Sequence, residues 1–158
     1  MKIDGGCFCN YITYEAEVDA EKVVICHCTD CQTHSAAAYR VAVGIIDEQF
    51  CLLSGTLKSY KKVAESGTVR ALAFCPECGT NIYSKTVGEG SSFFALRVGT
   101  VLQRAQLIPR AQVWCRSAQE WVGDLTSIPK FEKQPTLPTA VDYVEDGVIP
   151  TILGNLDL

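Results

Sequence analysis

Seven of the nine cysteines in this 158-residue chain are crowded into three short clusters. These clusters are Cys7/Cys9, Cys26/Cys28/Cys31 and Cys75/Cys78, and the two cysteines outside them are Cys51 and Cys115. An odd number of cysteines, in a chain whose first residues lack an apolar signal sequence, argues against a secreted disulfide framework. Closely spaced cysteines in a reducing compartment indicate metal ligands instead. The sequence therefore predicts a cytoplasmic metal-binding protein.

Two of the clusters suit one closed metal site. The segment Cys75-Pro76-Glu77-Cys78-Gly79 places two thiolates on a tight turn, from which both sulfurs can reach the same ion. Cys7 and Cys9 are two positions apart, so in an extended chain their side chains point to the same face. Together these four cysteines predict the tetrahedral thiolate set of a structural zinc site, since soft thiolate ligands favour zinc over magnesium or calcium.

The remaining cluster predicts a metal site of a different kind. Cys26, Cys28 and Cys31 offer three thiolates within six residues, so this triplet can occupy three positions on one ion by itself. Three protein ligands leave one coordination position for water or substrate, which is the usual difference between a catalytic and a structural zinc. The sequence therefore predicts two zinc ions per chain, the second of them catalytic.

Three alternatives to this division remain open from the residues alone. The triplet could combine with Cys75 and Cys78 rather than stand by itself. It could also be a second structural site, completed by His27 or His34. Cysteine ligation alone does not exclude an iron–sulfur cluster in place of zinc.

Composition and local patterns predict a single, mainly β domain. Hydrophobic residues make up 47% of the chain and charged residues 20%, which excludes intrinsic disorder as the main state. Short β-rich runs separated by turn signals lie near residues 12–18, 39–46, 50–53, 69–74, 82–83, 93–98 and 112–115. Short helices are predicted near 29–38 and 117–122. Cys51 and Cys115 lie in apolar runs, so we expect both to be buried and unreactive.

Charge and hydropathy argue against nucleic acid and membrane as partners. The distribution of charge also divides the chain into a domain and a C-terminal extension. The net charge of −4 argues against a nucleic-acid-binding protein, and no apolar run approaches the ~18 residues that a membrane span needs. Beyond residue 131 the basic side chain Lys133 stands against five acidic ones, and three prolines lie in the same stretch. We therefore predict a zinc-binding domain over 1–131 and an acidic, proline-containing C-terminal extension over 132–158.

The ordered cysteines and the residues around them resemble one known family, the glutathione-dependent formaldehyde-activating enzymes, which includes the centromere protein V domain. The matching motifs are Gly6-Cys7-Phe8-Cys9 with Tyr14, Cys26-His27-Cys28-Thr29-Asp30-Cys31, Ser54-Gly55-Thr56-Leu57 with Tyr60, Arg70 with Phe74-Cys75-Pro76-Glu77-Cys78-Gly79-Thr80, Gly99-Thr100, and Trp121 with Pro129 and Phe131. The resemblance implies a mainly β fold of small antiparallel sheets pinned by zinc. It implies a structural zinc on Cys7, Cys9, Cys75 and Cys78, and a catalytic zinc on Cys26, Cys28 and Cys31.

The same resemblance implies an enzyme, a zinc-dependent carbon–sulfur lyase or synthase. Such enzymes condense the small thiol glutathione with formaldehyde to S-hydroxymethylglutathione. Candidates for a general acid in this chain are His27, His34 and Tyr39. The two alternatives are carbon–sulfur chemistry on another thiol adduct and a non-catalytic zinc-binding interaction module.

Departures from the family pattern bear on the substrate rather than on the metal. They are Ala36 at a position where glycine is common, Leu102-Gln103 in place of an acidic pair, and Gln112 where histidine is frequent. None of them removes a predicted zinc ligand, and we expect them to lie near the pocket.

Overall fold

The computed structural model describes residues 1–88 and 93–133, which form ten β-strands and one α-helix. The strands are β1 (Lys2–Gly6), β2 (Thr13–Glu17), β3 (Val23–Cys26), β4 (Arg40–Ile46), β5 (Phe50–Ser54), β6 (Lys58–Val63), β7 (Val69–Phe74), β8 (Asn81–Thr86), β9 (Phe93–Arg97) and β10 (Ala111–Val113). The helix, α1, spans Thr29–Ser35. The predicted mainly β fold is confirmed.

Local prediction failed for some elements. Strands β1, β3 and β6 were not predicted, and the predicted helix near 117–122 is instead two short 3-10 turns, Cys115–Ser117 and Glu120–Gly123. No helix in residues 1–88 and 93–133 is long and apolar enough to cross a membrane.

The strands form two sheets. The smaller sheet has the order β1-β2-β5 and is antiparallel throughout. The larger sheet has the order β10-β3-β4-β9-β8-β7-β6, in which β10 pairs parallel with β3 and every other neighbour is antiparallel. The helix α1 is inserted between β3 and β4, so that the chain leaves the larger sheet and returns to it at the adjacent strand.

The main hydrophobic core lies between the apolar faces of the two sheets. The ring of Phe50, from the smaller sheet, lies 5.1 Å from that of Tyr14 and 5.4 Å from that of Phe94 in the larger sheet. The Tyr83 and Phe94 ring centroids are 4.7 Å apart. These offset and edge-on aromatic contacts add to the burial of apolar area that holds the sheets together.

The opposite face of the larger sheet is polar, and its residues follow from the strand register. Cys26 pairs with Arg40, and two residues further along β4 Ala42 pairs with Arg97. On β8, Ser84 lies on this same face, because it pairs with a residue two positions before Arg97. Since directly paired residues and residues two apart share a face, these side chains all project to one side.

The helix α1 lies over that polar face. Its Asp30 forms an ion pair with Lys62 of β6, and its His34 contacts Arg40 of β4. The triplet cysteines are therefore held between the start of α1 and the polar face of the sheet.

Both isolated cysteines are exposed, so the prediction that they are buried is wrong. Cys51 pairs with Glu15 across the β2–β5 ladder, which places it on the outer side of the smaller sheet while the preceding Phe50 faces the core. Cys115 follows Trp114, whose left-handed backbone (φ 60°) comes directly after the end of β10, so Cys115 begins a 3-10 turn instead of continuing the strand. Apolar neighbours in sequence do not decide which face of an edge strand a residue takes.

The chain divides into two compact units, Met1–Val122 and Gly123–Leu158. In the described part of the second unit, the Asp124 side chain accepts a hydrogen bond from the Thr126 backbone nitrogen at 2.9 Å. Residues 134–158 lie outside the described part of the chain. The predicted boundary after residue 131 and the acidic extension over 132–158 therefore stay predictions.

Candidate metal centres

Four cysteines from two distant parts of the chain converge at one end of the core. The Sγ atoms of Cys7, Cys9, Cys75 and Cys78 all lie within 4.8 Å of one another. Cys9 Sγ is 3.5 Å from Cys7 Sγ and 3.8 Å from Cys75 Sγ. Four sulfurs at these separations fit the donor set of a single tetrahedral ion.

Two tight turns present these sulfurs. The Cys75 backbone nitrogen donates to the Thr80 carbonyl at 2.9 Å, and the Gly79 nitrogen donates to the Cys75 carbonyl at 3.0 Å. Gly79 takes a left-handed backbone (φ +72°), which glycine adopts without strain. The Cys7 nitrogen donates to the Ile12 carbonyl at 3.0 Å and so closes the loop between β1 and β2.

Hydrogen bonds from neighbouring residues favour the ionised form of two of the four thiols, Cys7 and Cys78. The Thr80 hydroxyl lies 3.2 Å from Cys78 Sγ, and this bond is the largest of the contributions that lower the pKa of Cys78 to about 5. The Ile12 backbone nitrogen donates to Cys7 Sγ at 3.2 Å. Because metal ligation requires the thiolate, donors aimed at the sulfurs prepare the cluster for a cation.

The triplet forms the second centre. The Sγ atoms of Cys26, Cys28 and Cys31 lie within 4.8 Å of one another, and those of Cys26 and Cys28 are 3.6 Å apart. Cys26 ends β3, Cys28 caps α1, and Cys31 lies in its first turn. Among residues 1–88 and 93–133, no other His, Cys, Asp or Glu ligand atom joins this group. Its donor set fits a metal with one position left for a further ligand.

The thiols of the triplet share their protons unequally. The hydrogen bond with Cys31 lowers the pKa of Cys26 to about 5, whereas the same contact raises the pKa of Cys31. The positive charge of Arg40, which pairs with Cys26 in the β-ladder, favours the thiolate form of both residues.

His27 does not join the triplet. Its Nε2 lies 2.8 Å from Gln112 Oε1, and its ring lies edge-on to Tyr39 at 5.7 Å between centroids. Because the amide oxygen only accepts, Nε2 carries the proton. The buried Nδ1 has no hydrogen-bond partner in the described part of the chain and is the free acceptor. His27 and Tyr39, two of the three candidate general acids, are thus packed against each other.

His34 is held in one tautomer by Arg40. Its Nδ1 lies 2.8 Å from Arg40 Nη2, which can only donate, so the ring proton is on Nε2. Burial, together with the charges of Arg40 and Arg97, lowers the pKa of His34 below its usual value. The lowered pKa and the Arg40 contact both favour the neutral ring, with Nε2–H as its donor.

Sequence reasoning assigned no role to three arginines that lie beside the triplet. Arg40 and Arg97 are only 7% and 6% exposed, and Arg70 is half-buried. Burial and the neighbouring charge of Arg40 lower the pKa of Arg97 to about 9, so it is still a cation at pH 7. The signal available in the sequence was an arginine within an apolar β-rich run. A strand of this kind is buried, and a buried positive charge needs a partner.

Comparison with known proteins decides the family. The family model described as glutathione-dependent formaldehyde-activating enzyme matches residues 2–117, which is well over half of the chain and includes all seven clustered cysteines. The chain belongs to this family.

A crystal structure of a Rhodobacter sphaeroides protein has a similar fold. The two share 16% sequence identity with a TM-score of 0.54, and the similarity covers 69% of this chain and 98% of that one. At this identity the likeness supports the fold alone. No curated protein matches the sequence.

The three departures from the family pattern of formaldehyde-activating enzymes lie in different places: at the end of the helix that carries Cys31, beside His27, and against the smaller sheet. Ala36 ends α1 with a left-handed backbone (φ 48°), the conformation that explains why glycine is common there. Gln112 binds the His27 ring. Gln103, by contrast, bonds to Asp4 on β1 of the smaller sheet, with Nε2 at 2.8 Å from Oδ2.

Proposed function

We propose that this protein holds two zinc ions and catalyses carbon–sulfur bond chemistry between a small thiol and an aldehyde. The structural zinc would bind to Cys7, Cys9, Cys75 and Cys78, and the catalytic zinc to Cys26, Cys28 and Cys31. The reaction we assign is addition of glutathione to formaldehyde, giving S-hydroxymethylglutathione, together with its reverse. The supporting observation is the convergence of three thiols, with no further protein ligand in the described residues, in a member of this family.

The thiol must be ionised to react. A free thiol with a pKa of about 8.5 is only a few per cent thiolate at pH 7. Zinc with an exchangeable fourth position ionises a thiol that binds there. All nine cysteines are free thiols, which suits a reducing compartment, so we place the protein in the cytoplasm.

The chain's own residues would then orient the partners and stabilise the product oxygen. The thiolate sulfur forms a bond to the carbonyl carbon, the C=O π pair moves to the oxygen, and that oxygen takes up one proton from water, which balances the proton that the thiol loses to water when it ionises. We assign His34 Nε2–H as the hydrogen-bond donor to this oxygen, because Arg40 fixes its tautomer and His34 lies one helical turn after Cys31. His27 is the weaker candidate, since its only proton is held by Gln112.

The test is exchange spectroscopy of glutathione with formaldehyde at equilibrium. We expect zinc-loaded protein to accelerate the exchange, Cys28→Ser to abolish the acceleration, and Cys51→Ser, on the outer face of the smaller sheet, to preserve it. Acceleration by Cys28→Ser protein would refute the mechanism. No acceleration by fully metallated wild type would reject formaldehyde and glutathione as the substrates.

The alternative is another thiol adduct at the same site. The observation that favours it is Gln112, which occupies a position where the family frequently has histidine and directly contacts His27. The same exchange assay with other thiols and aldehydes separates the two substrates.

A further inference from the structure

The polar face of the larger sheet gathers positive charge that no carboxylate of the described residues neutralises. Arg40, Arg70 and Arg97 lie on β4, β7 and β9, and the strand register brings their side chains to the same side. In residues 1–88 and 93–133 the ion pairs involve other cations, and none reaches these three arginines. A buried guanidinium without a counterion is costly, so this arrangement indicates that an anion completes it.

Two of the arginines already use protein acceptors. Arg40 Nη2 binds His34 Nδ1 at 2.8 Å. Arg70 binds Thr86 Oγ1 at 2.7 Å and Ser84 Oγ at 3.0 Å. All of these acceptors are neutral groups, so the positive charges remain.

Arg97 is different, because two of its donors are buried and unused. These donors are Nε and Nη2, which have no hydrogen-bond partner among residues 1–88 and 93–133. They share one edge of the planar guanidinium, and two parallel N–H groups at this edge match the two oxygens of a carboxylate. The free edge therefore has the geometry of a bidentate carboxylate clamp.

The balance of charge favours a substrate carboxylate as the partner of the arginines. If the arginines only neutralised the metal site, one positive charge would be left over. Zinc with three thiolates would carry a net charge of −1, and a bound substrate thiolate would make it −2. The three arginines carry one positive charge more than that. One carboxylate on the substrate balances the set.

We propose that Arg97, flanked by Arg40 and Arg70, is the carboxylate-binding subsite of this enzyme and selects thiols that bear a carboxylate. The inference rests on the proposed function, because the proposed function places the sulfur of the substrate thiol at the triplet. Arg70 is the most exposed member of the set, so it is the one that an entering carboxylate can reach first.

The experiment is calorimetric titration of the zinc-loaded protein with matched ligand pairs. 3-Mercaptopropionate and 3-mercaptopropionamide differ only in carboxylate against amide, and the 4-mercaptobutanoate pair extends the reach by one methylene. In one of the two pairs we expect the carboxylate to bind at least about tenfold more tightly than the amide. This is the usual gain from a hydrogen bond to a charged group. Propionate, which has no thiol, tests the subsite without the metal.

Three variants locate the effect. Arg97→Gln removes both the positive charge and the bidentate edge, whereas Arg97→Lys keeps the charge and removes only the edge. Both variants should lose most of the preference for the carboxylate over the amide. Arg110→Gln is the matched control, because Arg110 is an exposed arginine paired with Glu21. Zinc content and circular dichroism verify that each variant is folded.

Each outcome decides between the proposals. If Arg97→Gln weakens the acid and the amide equally, the arginine only offsets the charge of the metal site and the inference is wrong. If 3-mercaptopropionate binds no more tightly than propionate, and both bind in an Arg97-dependent way, the carboxylate subsite stands and the proposed function fails. If neither binds, both fail.

Discussion

Substituting serine for Cys28 should empty the triplet and leave the domain folded. Cys28 is the N-cap residue of α1, where its Sγ accepts a hydrogen bond from the Cys31 backbone nitrogen at 3.3 Å. Serine is among the preferred N-cap residues, so its hydroxyl can take over this bond while removing the thiolate. Cys28→Ala removes both functions and should cost about 1 kcal/mol more, the usual value of a lost cap.

The equivalent change at the four-cysteine cluster should be far more damaging. Cys75 is fully buried, and its cluster ties the β1–β2 loop to the β7–β8 turn across 66 residues of sequence between Cys9 and Cys75. Structural zinc contributes about 10–16 kcal/mol in small zinc domains, which matches or exceeds the 5–15 kcal/mol stability of a typical domain. Cys75→Ser should therefore give unfolded or insoluble protein.

Thermal unfolding by circular dichroism, with metal content by mass spectrometry, separates these cases. For a domain of this size, 1 kcal/mol corresponds to about 2–4 °C in Tm. We expect Cys28→Ser to melt within a few degrees of wild type with one zinc fewer, and Cys28→Ala to melt a few degrees lower still. If Cys28→Ser unfolded as completely as Cys75→Ser, the triplet would be structural and the assignment of a catalytic centre would be refuted.

Three other predictions need only wild type or a single variant. Elemental analysis of protein purified without chelator should give two zinc ions per chain, and a ratio near one would remove the second centre. Iodoacetamide should modify only Cys51 and Cys115 in the zinc-loaded protein, as read by peptide mass spectrometry; labelling of the clustered cysteines at the same rate would show that they hold no metal. Ala36→Gly should raise the free energy of unfolding in urea by up to about 1 kcal/mol, because glycine adopts the left-handed C-cap without strain, and a loss of stability would contradict that argument.

Much of the candidate site could be predicted because its ligands are close in sequence. The spacing within each cysteine cluster limits how far apart the sulfurs can lie, so Cys26, Cys28 and Cys31 converge whatever the rest of the fold does. Val69–Phe74 was likewise predicted with correct bounds, since turn residues flank a compact β-rich run.

The missed elements depend on long-range pairing instead. Lys58–Val63 is an edge strand with almost every side chain exposed, so its sequence lacks the apolar alternation that marks a half-buried strand. Arg40, Arg70 and Arg97 belong to three strands that are distant in sequence, and only the register of the larger sheet shows that they share a face. No local pattern carries that information.

The two centres are linked by the β7–β8 turn. This turn carries Cys75 and Cys78, and the strands on either side of it carry Arg70 and Ser84 to the polar face. At the start of β8, Asn81 Nδ2 donates to the carbonyl of His34 at 3.2 Å, which ties the last turn of α1 to the strand that follows the four-cysteine cluster. A metal that fixes this turn would therefore also fix the floor of the triplet site and the helix above it, so the structural centre would set the positions of the residues that act on the substrate.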